Sequence, residues 1–191
     1  MVKGLLEDLV SRGLESERKM LMVLDGAKAL RKAVQMVLGE QGLVQRCRVH
    51  KLRNVLDQLP EEKKAQARWR LQSAWAKKDP KEAEKELRQT AKWLEASWPM
   101  AAASLLEGLL ETLTVQNLNL SPMLCRILSN TNLIENCFSQ AAHRTRQVKR
   151  WDGPRMILRW TAAALLAAEK NFRRIKGCEQ LSQLQKVLHE K

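Results

Sequence analysis

The hydrophobic pattern changes period twice within the first fifty residues. Met20 to Leu24 is an unbroken apolar run of strand length. Asp25-Gly26, a turn dipeptide, closes it, and the run predicts a short strand buried on both faces. From Ala27 the spacing becomes helical: Leu30, Ala33, Val34, Val37 and Leu38 recur at three and four residues until Gly39 breaks the series. A second apolar segment follows Gly42, and Val44 to Val49 predicts a second strand. The order strand, helix, strand puts Asp25 at the carboxyl end of the first strand, where ligands gather in open α/β sheets. Before it, residues 1–19 predict an amphipathic helix with Leu5, Leu6, Leu9 and Val10 on one side. Two strands are too few for a stable open sheet, so the pattern implies others, hidden or upstream.

Beyond these strands the period is helical. Leu52, Val55, Leu56 and Leu59 predict a helix over 51–59, and Pro60 with Glu61 and Glu62 opens the next. Asp79 is placed to cap a third helix over 80–97, with Glu82 at capping-box spacing. Leu87, Ala91 and Leu94 are its buried stripe, and an Ala- and Leu-rich run over 101–113 follows the Trp98-Pro99 break. Residues 60–114 thus form an all-helical block that reads as an insertion. Pro122 rules out one continuous helix over 114–129. Thr131 or Asn132 can cap a helix starting near Leu133, with Glu135 at the N3 position of Asn132. Gly153-Pro154 splits the remainder, Gly177 ends the core, and 178–191 is a short helical tail.

Charge sharpens this picture. The chain has 191 residues and a net charge of +13, from 34 Lys and Arg against 21 Asp and Glu, which favours a polyanionic partner. The stretch 143–176 alone holds ten Lys or Arg against two acids. Arg46, Arg48, Lys51 and Arg53 flank the second strand as another basic field. Arg144, Arg146, Lys149, Arg150, Arg155, Arg159, Arg173, Arg174 and Lys176 make the larger one, suited to phosphates without sequence readout. Lys63, Lys64, Lys77, Lys78, Lys81 and Lys85 stand beside Glu residues and read as helix surface. Aromatics are only 4%, which argues against a broad base-stacking surface. Trp69, Trp75, Trp93 and Trp98 read mostly as core anchors of the helical block, with room for one to stack on an unpaired base. The four Cys have no paired spacing, which points to a reducing, cytoplasmic setting, and no apolar run has the length of a membrane span.

Two acids are candidates for chemistry. Asp25 reads either as a divalent-metal ligand or as a turn and cap residue, and Glu135 as a second metal carboxylate or a cap. No third carboxylate stands out, since Asp8 and Asp57 lie at helical positions. Cys47 and His50 have half of a zinc spacing, which Cys137 and His143 would complete only at unusual intervals. The other reading buries Cys47 at the strand end and sets His50 near the site, binding a phosphate or orienting a carboxylate.

LMVLDGAKALRKAV (21–34), QRCRVHKLRNVLDQLPEE (45–62), SNTNLIENCFS (129–139), VKRWDGPRMILRW (148–160) and EKNFRRIKG (169–177) occur in that order. Together they resemble the carboxyl-terminal part of a mutator-type bacterial insertion-sequence transposase, of the IS256 family. The resemblance implies an RNase H-like DDE domain with an all-helical insertion between its second Asp and its Glu. It implies that Asp25 is that second Asp, that Glu135 is the catalytic Glu, and that Cys47 and His50 form the Cys-x-x-His signature. Mg²⁺ is the implied cofactor, terminal inverted repeats the implied DNA partner, and a homo-oligomer the assembly of the intact protein. The expected division is a partial core over 1–59, the insertion over 60–114, the rest of the core over 115–177, and the tail over 178–191. The expected fold class is α/β, predominantly helical, with an incomplete RNase H-like domain of few strands. The family's first Asp would lie upstream of Met1, so the chain is expected to be a truncated fragment that is inactive alone. A non-catalytic DNA-binding or regulatory protein that inhibits a full-length transposase is the alternative.

Overall fold

The computed structural model describes residues 2–190. Two parallel strands, β1 (Met20–Leu24) and β2 (Gly42–Arg46), pair in register from Met20 opposite Gly42 to Leu24 opposite Arg46. Helix α2 (Lys28–Leu38) makes the crossover between them, and α1 (Val2–Ser11) precedes β1. The α/β class therefore holds among the described residues, with helices in the large majority.

Alternation along the strands covers both faces of this small sheet. Met20, Met22, Leu24 and Val44 pack with Leu6 of α1 and Ala33, Val34 and Leu38 of α2. Leu21 and Leu43 point the other way, onto Val115, Leu118, Leu120 and Leu124. β1 is less buried than a strand interior to a sheet, and only Leu24 is fully buried, because a two-stranded sheet leaves each strand an open edge.

Several boundaries differ from the sequence reading. α1 stops at Ser11 instead of running to residue 19, because Gly13 adopts φ +106° and ends the helix. β2 ends at Arg46, and Cys47 is already the N-cap of α3 (Arg48–Leu56), so Arg48 and Val49 are helical. Their apolar-basic alternation imitates a strand. The helices α4 (Glu61–Trp75), α5 (Pro80–Glu95) and α6 (Pro99–Leu106) follow. Gly108, at φ +63°, breaks the run expected over 101–113, and Leu110–Leu113 forms a separate 3-10 turn. Asp79 caps α5 as expected, accepting from Lys81 N at 3.0 Å, with Pro80 in the first turn. The helical block shares one core with α3, since Leu52, Val55, Leu56 and Leu59 pack with Leu71, Leu87, Leu94 and Leu105. α7 (Pro122–Leu128) starts at the proline that excluded a longer helix.

The chain divides into two compact units. The larger runs to Asn130 and resumes at Gly177, so it includes α10 (Leu181–Glu190). The smaller, Thr131–Lys176, is a hairpin of α8 (Asn132–Thr145) and α9 (Gly153–Glu169), closed by Cys137, Ala141, Ala164 and Ala168. No helix among the described residues is long and apolar enough to cross a membrane.

Candidate functional site

In the larger unit, the carboxyl ends of β1 and β2 carry Asp25 and Arg46. Asp25 is exposed, and its Oδ1 accepts from Ala27 N at 2.9 Å, so the turn itself orients the carboxylate. Gly26 is at φ +102°, and a Cβ there would stand 1.6 Å from Arg46 Cζ. The Arg46 guanidinium therefore lies directly against the Asp25 turn, and only glycine leaves it room.

Arg46 is buried and pairs with Glu107 across 3.4 Å. Lys51 is fully buried, and its Nζ donates to Glu107 Oε2 at 3.1 Å and to the carbonyls of Ser104 and Glu107 at 2.5 Å each. Burial is the strongest influence on Lys51 and holds its pKa below the ordinary lysine value, against the hydrogen bond and charge of Glu107. Burial pulls Glu107 the other way, but the Lys51 hydrogen bond and the charges of Lys51, Arg46 and Lys28 outweigh it and leave its carboxyl below the ordinary value.

Arg48 is similarly engaged. Its Nε donates to Thr112 O at 2.9 Å, its Nη2 donates to Gln116 Oε1, and its guanidinium lies 5.8 Å from the Trp75 ring centroid. Desolvation pushes its pKa down to about 10. Arg46, Arg48 and Lys51 were expected to face DNA. That expectation is corrected: all three hold the helical block to the end of the sheet, and Lys51 in particular has no exposed surface. Arg53 alone of that field is exposed. The strand reading of 44–49 hid this, because a helix starting at Arg48 turns Arg48 and Lys51 inward together.

Cys47 is fully buried at the start of α3, and its N donates to Leu24 O at 2.7 Å. His50, half-buried one turn on, brings Nδ1 to 3.3 Å from Cys47 Sγ. The Cys-x-x-His pair thus forms one contact beneath the Asp25 strand. Among the described residues no three His, Cys, Asp or Glu side chains are grouped to hold a metal.

In the smaller unit Glu135 lies in the first turn of α8, half-buried. Helix α8 begins one residue earlier than expected, with Thr131 as N-cap, so Glu135 falls past the capping-box position. The Thr131 hydroxyl donates to its carboxylate, and Glu135 N donates to Thr131 O at 3.0 Å. Arg144, Arg146, Lys149 and Arg150 at the end of α8, and Arg173, Arg174 and Lys176 after α9, are all exposed.

Of the tryptophans, Trp75 is buried and donates to Thr112 Oγ1 at 3.1 Å, and Trp93 stacks near Trp98 with Arg70 over its ring. Trp69 is 68% exposed. Sequence reasoning passed over Glu107, Thr112 and Gln45. Glu107 had one signal, an acid directly after the apolar run of α6. Gln45 is buried, donates to Thr112 O at 3.1 Å, and accepts from Val115 N at 2.9 Å. A polar residue inside an apolar strand was its signal.

The family model described as Transposase, Mutator family matches residues 2–175. The chain belongs to the Mutator family of transposases. One relative is the transposase for insertion sequence element IST2 of Acidithiobacillus ferrooxidans, 32% identical over 180 residues. That alignment takes in 94% of this chain and 60% of the relative, so the chain spans well under the relative's full length. The match includes both the Asp25 turn and the Glu135 helix of this Mutator-family chain.

Proposed function

We propose that Asp25 and Glu135 are two metal-binding carboxylates of an enzyme for divalent-metal-assisted phosphoryl transfer on insertion-sequence DNA. The observation that carries the reading is the Asp25 turn: an exposed carboxylate at the carboxyl end of a parallel strand, oriented by its own backbone and backed by a buried arginine. Membership of the Mutator family supports it. The βαβ unit is then part of an RNase H-like domain, as the resemblance implies.

The donor chemistry fits Mg²⁺, which takes hard oxygen ligands such as carboxylates. Asp25 and Glu135 would each offer oxygen ligands to divalent metal, which when bound supplies charge stabilisation at the reacting phosphate and a more acidic water. Ala27 N fixes Asp25 Oδ1, and the carboxylate is exposed. Thr131 holds the Glu135 carboxylate at the start of α8, in a helix turn that favours negative charge. The exposed cations around α8 and α9 hold the DNA backbone. Among the described residues no group of three metal-ligand side chains includes either acid, so residues 1–191 tested alone are expected to bind DNA without cutting it.

The test is an incubation with Mg²⁺ and duplexes carrying the terminal inverted repeats that border this reading frame. Salt-dependent binding without strand cleavage or joining is expected. Robust cleavage that Glu135→Gln abolishes would overturn the two-carboxylate reading.

A further inference from the structure

In α5 the buried residues Ala83, Leu87, Ala91 and Leu94 define one face. Opposite them, Lys81, Lys85, Arg88 and Lys92 fall at intervals of four, three and four residues. At 3.6 residues per turn they occupy an arc of about 60° and extend roughly 16 Å along the axis. All four are exposed and line one shallow groove with Glu84 and Gln89.

The acids of α5 neutralise this stripe only at Arg88. Glu84 pairs with Arg88 at 2.7 Å, and Glu86 pairs with Lys77, off the stripe, at 2.8 Å. Among the described residues Lys81, Lys85 and Lys92 have no ion pair. Like charges three and four residues apart repel along a helix, so the arrangement opposes the helix that carries it. The Lys–Glu surface read from composition as balanced therefore leaves three lysines unneutralised on one face once the helix forms. No aromatic residue lies on the stripe, which gives bases nothing to stack on and suits a phosphate backbone.

We propose that the Lys81–Lys92 face of α5 binds the phosphate backbone of duplex DNA, giving the helical block a contact of its own. The inference rests on the DNA-binding reading above and adds a surface to it. The stripe's cations follow one another at roughly 4.5–6 Å along the helix axis.

The test is fluorescence anisotropy of the full chain with a mixed-sequence duplex at several salt concentrations. The variants are Lys81→Gln/Lys85→Gln/Lys92→Gln and a charge-matched control, Lys3→Gln/Arg12→Gln/Arg18→Gln. The three stripe lysines are exposed, so circular dichroism should show the fold intact. At about 0.9 per phosphate contact, the slope of log K against log salt should become shallower by roughly 2–3 in the stripe variant. Low-salt affinity should fall on the order of 10- to 100-fold, with the control within about threefold of wild type. A wild-type chain that binds duplex while the stripe variant keeps the same slope overturns the α5 assignment alone. A wild-type chain with no salt-dependent duplex binding overturns the DNA-binding reading and the stripe with it.

Discussion

Replacing Gly26 by alanine probes how the Asp25 turn is braced. At φ +102° an L residue is strained, at a cost of about 1–3 kcal/mol. The new Cβ would also stand 1.6 Å from Arg46 Cζ, so the guanidinium must leave its seat. It ends a long side chain and can swing away, so the cost is the lost seat and not a distorted strand. Its ion pair with Glu107 joins a side chain 6% exposed to one 46% exposed, and after solvent screening is worth about 1 kcal/mol. Uncovering the buried stem adds roughly 1 kcal/mol, the value of one or two methylenes. The sum, roughly 3–5 kcal/mol, is a large share of the ~5–15 kcal/mol that holds a domain together. For a chain of this size it lowers Tm by roughly 6–20 °C. Urea denaturation followed by circular dichroism measures it. Gly13→Ala is the control, with φ +106° and nothing within 4 Å of its Cβ, so it carries the backbone cost alone. In an Arg46→Ala background Gly26→Ala should cost about 2 kcal/mol less than in wild type. A Gly26→Ala cost equal to that of Gly13→Ala, and unchanged without Arg46, would refute the bracing.

The ion cluster behind the turn gives further expectations. Lys51→Met should destabilise by about 2–4 kcal/mol in urea titrations, because the carbonyls of Ser104 and Glu107 lose their buried donor. Glu107 has a folded pKa below its unfolded one, so its contribution is full above the unfolded value and fades as pH falls through the folded one. Glu107→Gln should therefore flatten the loss of stability below about pH 5, visible in Tm measured against pH. Thr131→Val removes the hydroxyl on Glu135 and should leave duplex affinity within about twofold while weakening Mn²⁺ binding several-fold, read by electron paramagnetic resonance.

What the sequence displayed was whatever depends on local period. The strand at Met20–Leu24, the crossover helix, the Asp79 cap and the proline-opened helices needed only neighbours a few residues apart. Burial of charge was not legible, because it depends on partners far along the chain. Lys51 meets Glu107 and Ser104 more than fifty residues on, and Arg48 meets Thr112 and Gln116 more than sixty on. Composition counted Arg46, Arg48 and Lys51 as a basic field, whereas the fold uses them to fasten helices to the sheet. On α5 composition showed helix surface, as the structure has it, but not that Lys81, Lys85 and Lys92 share one face. Asp25 was legible because a turn dipeptide after a short strand is a local signal, but the reason glycine must follow it lies on β2.

The proposal to test most directly is that Asp25 and Glu135 are each divalent-metal ligands. Fe²⁺ can replace Mg²⁺ in the DNA-bound chain, and with ascorbate and peroxide it cuts the polypeptide close to where it is held. Mass spectrometry of the fragments should find cuts beside Asp25 that Mg²⁺ competes and Asp25→Asn removes, and cuts beside Glu135 that Mg²⁺ competes and Glu135→Gln removes. Cuts beside one residue only, or cuts that persist when the residue beside them is replaced, would contradict the proposal.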